Sequence, residues 1–327
     1  MHLSERAPAK VNLSLLVGPR LESGYHELFT VFVPVDVYDE LEFDVEARPP
    51  RGAATGDRFS SSGAGAAGAS PCGLQVVCSA VAGEANLAVR ALRAIESHTG
   101  WAFDGQVEVR KHIPVGAGLG GGSSNAAVSL LAGARILAEA GGPELDHQTL
   151  RTLARALGAD VAFFLDPRSS IGQGIGELLE PLALPATHLV LVYLDHHLST
   201  GRVYESFDAR GAAEDPRSFS ARAAAAKVSW LALSHAVTRG DLDETSAPPV
   251  IVPLLRNDLE EASFGLFPPL VDAKRALMEE GAAGALMSGS GSTVFAVCTA
   301  RAAAEHVCQA VRRRGFNARA VLAGTLR

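Results

Sequence analysis

The sequence predicts a two-domain protein of mixed α/β (α+β) class, and three observations carry that prediction. The chain has 327 residues, about two domains at roughly 150 residues each. Runs of period-two apolar alternation recur along it, interleaved with longer Ala- and Leu-rich segments of helical period. Hydrophobic residues make up 47% and charged residues 20%, enough to bury a sizeable core and to exclude wholesale disorder.

The elements follow in order. Ala9, Val11, Leu13, Leu15 and Val17 fall on one face of a first strand, with Lys10, Asn12 and Ser14 on the other. Gly18, Pro19 and Ser23-Gly24 break it before Tyr25. Residues 28–37 and 41–45 read as two strands joined by an acidic turn over 36–40. Residues 51–73 are mostly Gly, Ala and Ser, too poor in apolar surface to order, and predict a flexible insertion within the first domain. A strand at 74–78 precedes a helix over 86–97 with Asn86 as N-cap. Residues 106–113 alternate as a strand. A helix then covers 123–140, and another runs from the N-cap Asp146 to Leu157 with Gly158 as its stop. Residues 161–165 form a short apolar segment. Beyond Pro167 a strand is expected at 189–194 and helices near 216–237, 257–263, 270–280 and 301–314. Strands flank Ser288 to Ser292, and 318–322 close the sheet.

Charge and cysteine usage narrow the function classes. The net charge is −7, from 29 Lys+Arg against 36 Asp+Glu, which opposes a chain-wide nucleic-acid surface but permits a local basic pocket for a phosphorylated ligand. Four cysteines, Cys72, Cys78, Cys298 and Cys308, form no C-x-x-C pair, so a reduced cytoplasm is the expected setting. Glu5, Arg6 and Lys10 interrupt the start, and no run approaches a membrane span.

The run P-V-G-A-G-L-G-G-G-S-S-N-A-A, from Pro114 to Ala127, lies between a strand and a helix. Gly116, Gly118, Gly120, Gly121 and Gly122 let backbone approach a ligand and turn N–H groups inward. The helix that follows aims its positive end at the same place, and Ser123 and Ser124 add hydroxyls for a phosphate oxygen or a metal ion. Polyphosphate binding is the implied chemistry; a ligand-free loop is the plain alternative. Gly116, Gly118 and Gly121 satisfy G-x-G-x-x-G, but a dinucleotide fold needs a second parallel strand with an acid about 20 residues on. That position falls within a helix here. The G-K-[ST] ending of a phosphate loop is absent, as are the H-R-D and D-F-G of protein kinases.

Other residues leave both readings open. Lys10, with Asn12 on its face, is a solvated strand lysine or a site wall. Asp160 is a turn or cap residue or a site carboxylate. Tyr25 and His26 are a turn aromatic and a surface histidine, or a base-binding pair. Asp195-His196-His197 is read as no metal site, since adjacent strand residues point to opposite sides. Residues 312–314 are read as the solvated end of a helix, favourably placed against its dipole.

The glycine run resembles the central motif of the GHMP kinases, the galactokinase, homoserine, mevalonate and phosphomevalonate kinase superfamily. Two further motifs agree in order: A-P-A-K-V-N-L-S-L from Ala7 and M-S-G-S-G-S-T-V-F-A from Met287. A narrower set is G-Y-H-E-L from Gly24, L-G-A-D-V-A-F-F-L from Leu157, G-I-G-E-L-L-E-P-L from Gly174 and N-D-L-E from Asn257. It resembles the branch that uses ATP to phosphorylate the 2-hydroxyl of a cytidine-diphosphate-linked methylerythritol in non-mevalonate isoprenoid biosynthesis. Ala162 stands where that branch has proline.

The resemblance implies a ribosomal-protein-S5-like ATP-binding domain over 1–171 and an α/β-plait domain over 172–327, with the site between them. It implies Asp160 as catalytic base, oriented by Lys10. ATP phosphates would lie against Pro114, Val115, Gly116, Ala117, Gly118, Leu119, Gly120, Gly121, Gly122, Ser123 and Ser124, with Asn86 and Lys111 at the adenine. Asn12, Tyr25, His26, Thr200 and Tyr204 would hold the acceptor, with the tyrosines as opposing rings. Ser288, Gly289, Ser290 and Gly291 would form a second glycine-rich wall. Mg²⁺ would arrive with ATP, Ser123 or Ser124 being its candidate protein ligand. No nucleic-acid or membrane partner is expected, and the assembly is a monomer or homodimer. A sibling small-molecule kinase and a non-enzymatic nucleotide-binding regulator are the alternatives. Gly24-Tyr25-His26 opposes the first, and retention of Lys10 with Asp160 opposes the second.

Overall fold

Two long strands frame the molecule. The computed structural model describes residues 1–50, 73–81, 83–212 and 214–324; apart from Gly73, the insertion expected over 51–73 lies outside them. Strands β1 (His2–Arg20) and β2 (His26–Arg48) pair antiparallel along most of their length. The turn expected at 36–40 is instead continuous strand, with Asp36 and Val37 as extra residues opposite the Pro8–Ala9 step. The acids that read as a turn have tertiary partners. Asp36 accepts from the Leu322 N–H at 2.8 Å, and Asp39 anchors the far end of a neighbouring strand.

A bulge corrects the expected alternation of β1. Asn12 pairs with Phe32 and Ser14 with Val31, so Leu13 is inserted. One inserted residue turns every later side chain over. Ala9, Val11 and Leu13 therefore pack in one core, while Leu15 and Val17 pack in another. Ser14 leaves the face of Lys10, and its hydroxyl accepts from the Trp230 indole N–H at 3.1 Å.

Strand β3 (Leu74–Cys78), helix α1 (Leu87–Thr99) and strand β4 (Ala102–Arg110) follow. β3 runs parallel to β4, which pairs antiparallel with β2. The side chain of Asn86 caps α1 by accepting from the Ala88 N–H at 3.0 Å. Helices α2 (Gly121–Glu139), α3 (His147–Leu157) and α4 (Val161–Phe164) complete this half. Asp146 caps α3 by accepting from the Thr149 N–H at 2.7 Å. Leu92 and Ile95 of α1, Leu130 and Leu137 of α2 and Phe163 of α4 share a core with Leu41 and Phe43 of β2.

Strands β5 (Ser170–Gln173) and β6 (Leu178–Pro181) form a hairpin on β2 that the sequence pattern did not reveal. Then come β7 (Thr187–Tyr193), α5 (Thr200–Ala209), α6 (Pro216–Thr238), α7 (Pro248–Ile251) and β8 (Arg256–Asn257). The helix expected from residue 257 begins later, because Asn257 pairs with Leu15 of β1. It is α8 (Glu260–Leu266), followed by α9 (Pro269–Glu279), β9 (Gly284–Met287), β10 (Thr293–Cys298), α10 (Arg301–Arg313) and β11 (Asn317–Ala323). The main sheet order is β3-β4-β2-β11-β7-β10-β9. Leu189 and Leu191 of β7 enter one core and Val190 and Val192 the other, so this strand is apolar on both faces. Among the described residues, no helix is long and apolar enough to cross a membrane.

Candidate active site

The glycine loop joins β4 to α2, and its backbone closely approaches neighbouring segments. Gly116, Gly118 and Gly120 have φ of 67°, 76° and 71°, a region L side chains rarely adopt. A Cβ at Gly118 would overlap the Ser288 carbonyl oxygen, and one at Gly120 would come within 2.8 Å of the Phe164 ring. Gly120 is the N-cap of α2 and supplies no side-chain cap, and the first turn carries no acid. The opening N–H groups of a 19-residue helix are thus left for an anion.

Lys10 stands beside this loop. Its side chain is 4% exposed, and its ammonium donates to Asn12 Oδ1 at 2.6 Å and the Gly118 carbonyl at 3.1 Å. Asn12 Nδ2 donates to Thr30 Oγ1 at 2.8 Å, which fixes the amide oxygen toward Lys10. The Asp160 carboxylate lies 3.5 Å from the ammonium. Asp160 occupies the residue before α4 but makes no capping hydrogen bond. Its side chain is one-third exposed, on the wall of the cleft. The cap reading of this residue therefore fails, and its carboxylate is open to a ligand.

The second glycine loop lies backbone to backbone with the first. Ser288 Oγ donates to the Gly118 carbonyl at 2.9 Å, and the Thr293 N–H donates to Ala117 at 3.1 Å. Asn257 holds this loop from behind, donating to the carbonyls of Met287 and Gly289, each at 2.8 Å. Ser263 Oγ donates to the Ser290 carbonyl at 3.1 Å, and Ser290 Oγ meets Thr200 Oγ1 at 3.1 Å.

The other end of the cleft is aromatic and acidic. His26 is buried, its Nδ1 2.8 Å from the Gly18 carbonyl oxygen and its Nε2 3.2 Å from Asp208 Oδ1. Tyr204 stacks on it with ring centroids 5.3 Å apart and planes 28° apart. Burial pushes the Tyr204 phenol up, and the Asp160 charge adds to the shift. Tyr25 is 61% exposed at the rim.

These groups line one cleft of about 830 Å³, large enough for two ligands of nucleotide size. Lys10, Asn12, Tyr25, His26, Asn86, Lys111, Asp160, Thr200 and Tyr204 all reach it. So do Pro114, Val115, Gly116, Ala117, Gly118, Gly120, Gly121, Gly122, Ser123, Gly289 and Ser290. Four residues expected at the wall do not line it. Leu119 points into the core and offers only its carbonyl, to the Lys10 N–H at 3.0 Å. Ser124 is fully buried. Ser288 and Gly291 stand behind the wall, where Ser288 braces Gly118. Lys111 is also tied more tightly than expected, in a close ion pair with the fully buried Asp39. Asp39 further accepts from the N–H groups of His112 and Ile113 at 2.8 and 2.9 Å.

Sequence reasoning missed Asp39, Asp208 and the role of Asn257, whose partners lie 30 to 182 residues away in the chain and meet them only through the fold. His196 and His197, in the Asp195-His196-His197 run, hold packing positions. The His196 ring stacks on Phe267 at 4.1 Å, and His197 packs over Gly116.

Comparison with known proteins agrees with this geometry. Residues 86–166 match the family described as the GHMP kinases N terminal domain, and residues 249–317 match GHMP kinases C terminal. A 4-diphosphocytidyl-2-C-methyl-D-erythritol kinase of Desulfitobacterium hafniense is 33% identical over 313 residues, covering 95% of this chain and 92% of its own. One from Mycolicibacterium gilvum is 37% identical over 300 residues, covering 91% and 83%. A crystal structure of 4-(cytidine 5'-diphospho)-2C-methyl-D-erythritol kinase superposes with a TM-score of 0.69 at 33% identity, covering 99% of this chain and all of that one. Homoserine kinase from Cytophaga hutchinsonii shares the fold, with a TM-score of 0.65 at 18% identity over 99% of this chain and 94% of its own. By length of match and by identity, the chain belongs to the 4-diphosphocytidyl-2-C-methyl-D-erythritol kinase family of GHMP kinases.

Proposed function

We propose that this chain transfers the γ-phosphoryl group of ATP to the 2-hydroxyl of 4-diphosphocytidyl-2-C-methyl-D-erythritol, in non-mevalonate isoprenoid biosynthesis. The observation that carries the chemistry is Asp160: a carboxylate that declines to cap its helix and lies 3.5 Å from the buried Lys10 ammonium. Phosphoryl transfer asks for alignment and charge stabilisation more than covalent catalysis. The N–H groups opening α2 and the glycine backbone hold the β- and γ-phosphates. Asp160 takes the proton as the acceptor oxygen bonds to phosphorus and the bridge to the β-phosphate breaks. Lys10, fixed by Asn12 and Gly118, stabilises the charge that develops.

The remaining assignments belong to the same proposal. Asn86 borders the adenine subsite. Lys111, whose ammonium is 3.1 Å from where a Cβ on Gly121 would lie, reaches the phosphate end as well. Tyr25, His26, Thr200 and Tyr204 form the acceptor wall. Ser123 and Asn125 border the cleft at the start of α2, and Asn125 Oδ1 is buried without a hydrogen-bond partner among the described residues, oxygen atoms that suit Mg²⁺. The ion would come with the nucleotide, with Ser123 at the cleft as its candidate protein ligand. Bound there, the ion would neutralise charge on the phosphoryl oxygens. The chain would divide near residue 171 into an ATP-side and an acceptor-side domain, act in the cytoplasm, and work as a monomer or homodimer.

The test is ADP release by the purified chain with ATP and Mg²⁺ against 4-diphosphocytidyl-2-C-methyl-D-erythritol, mevalonate and homoserine. Turnover with the cytidine-linked acceptor alone is expected. Turnover with mevalonate or homoserine in its place, or ATP binding without turnover of any acceptor, would overturn the proposal.

A further inference from the structure

Thr30 is fully buried, and its hydroxyl joins the two sides of the bulge in β1. It lies 2.7 Å from the Ser14 carbonyl oxygen, after the bulge, and 2.8 Å from Asn12 Nδ2, before it. A hydroxyl has one proton to give, and a carbonyl can only accept. The Thr30 proton therefore goes to Ser14, and toward Asn12 the same oxygen can only accept. That fixes the end of the Asn12 amide that faces Thr30 as the NH₂ end. The other end, Oδ1, is then turned to the Lys10 ammonium at 2.6 Å. Asn12 and Lys10 are buried as well, so a mismatched polar pair between them has little solvent to repair it.

The direction of that amide decides where Lys10 can sit. An ammonium has three donors and no acceptor. One goes to Asn12 Oδ1 and one to the Gly118 carbonyl at 3.1 Å, which leaves one for Asp160, whose Oδ2 lies 3.5 Å away. With the amide reversed, Nδ2 would meet the ammonium donor to donor, and Lys10 would have to leave its place. We infer that Thr30 is a positioning residue for phosphoryl transfer: it aims the Asn12 amide, and through it holds the Lys10 charge beside Asp160. The inference rests on the reaction proposed above.

The test is the single-turnover rate of transfer from ATP to 4-diphosphocytidyl-2-C-methyl-D-erythritol in wild type, Thr30→Val and Thr30→Ser. Asn12→Ala is measured alone and combined with Thr30→Val, with ATP affinity and thermal midpoints taken in parallel. Thr30→Val keeps the shape and removes the hydroxyl, so the misplaced ammonium should lower the rate by about 10- to 100-fold with ATP affinity nearly kept. Thr30→Ser should recover most of that loss. In Asn12→Ala no amide is left to aim, so adding Thr30→Val should change the rate by less than about 2-fold. Thr30→Ala makes the same comparison should Thr30→Val not fold. A near-wild-type rate without the hydroxyl, or an equal loss in the Asn12→Ala background, gives Thr30 a purely structural role and overturns the inference alone. Absence of transfer by the wild-type chain overturns the proposed reaction and the inference with it.

Discussion

Lys10 is held by groups from three parts of the chain: Asn12 on its own strand, the Gly118 carbonyl of the glycine loop, and Asp160 before α4. A lysine so anchored loses little freedom on binding a ligand, so its charge is in place before phosphate arrives. Lys10→Ala should cut kcat by about 10²- to 10³-fold with a smaller change in KM for ATP; steady-state kinetics decide, and a near-wild-type kcat would remove Lys10 from the chemistry. Gly118 carries a different constraint. With φ of 76° and the Ser288 carbonyl where a Cβ would go, Gly118→Ala must shift one of the two glycine loops. It should destabilise the fold by about 1–3 kcal/mol and depress kcat, read by denaturant unfolding and turnover together. An unchanged stability would mean that the loops are not in contact in solution. At this scale the sequence made Lys10, Asp160 and the glycines legible, because each sits in a contiguous motif. Asp39 and Asp208 carried no such mark, since their meaning lies in partners at Lys111 and His26 that only folding supplies.

Among the elements, those with local stop and start signals were readable and those set by tertiary pairing were not. Asn86 and Asp146 cap the helices they were expected to cap. The bulge at Leu13, the unbroken course of β2 and the β5–β6 hairpin depend on strand partners far away in sequence. The connection from β4 into the glycine loop is one such tertiary device. Asp39, fully buried, ties down Lys111 and the N–H groups of His112 and Ile113. Asp39→Ala leaves a buried ammonium and two N–H groups unpaired, and should cost about 3–5 kcal/mol in chemical unfolding; a cost below about 1 kcal/mol, the size of an exposed pair, would show the site to be wet. Helix α6 gives a pH test. The Asp215 carboxyl is held below the usual carboxylate range, first by the Ser218 hydroxyl and then by the N–H groups of Ser218 and Arg217. A lowered carboxyl contributes stability above its unfolded pKa of about 3.9, which is lost as pH falls through the folded value. Asp215→Asn still caps but does not titrate, so its thermal midpoint should fall less steeply below about pH 4. An identical acid slope in both proteins would argue against the cap.

The whole molecule is organised by one sheet that carries both glycine loops. The last strand, β11, lies between β2 and β7, and it joins the half bearing Lys10 and Asp160 to the half bearing Asn257 and Asp208. The loops meet through Ser288 with Gly118 and Thr293 with Ala117, so the proposed nucleotide binding at one loop should be coupled to the order of the other. A non-hydrolysable ATP analogue at about 100 times its Kd should add about 2.7 kcal/mol of stability, and Asn257→Ala should reduce that gain by loosening the second loop. Calorimetry with and without the analogue measures both, and an equal gain in the variant would show the loops to be independent. In the proposed reaction Asp160 receives the acceptor's proton beside Lys10. Single-turnover phosphoryl transfer from ATP to the cytidine-linked acceptor, in wild type and Asp160→Asn, measures it with nucleotide affinity determined in parallel. The transfer rate should fall by about 10²- to 10⁴-fold in Asp160→Asn with ATP affinity nearly kept; a rate close to wild type would remove Asp160 as the base.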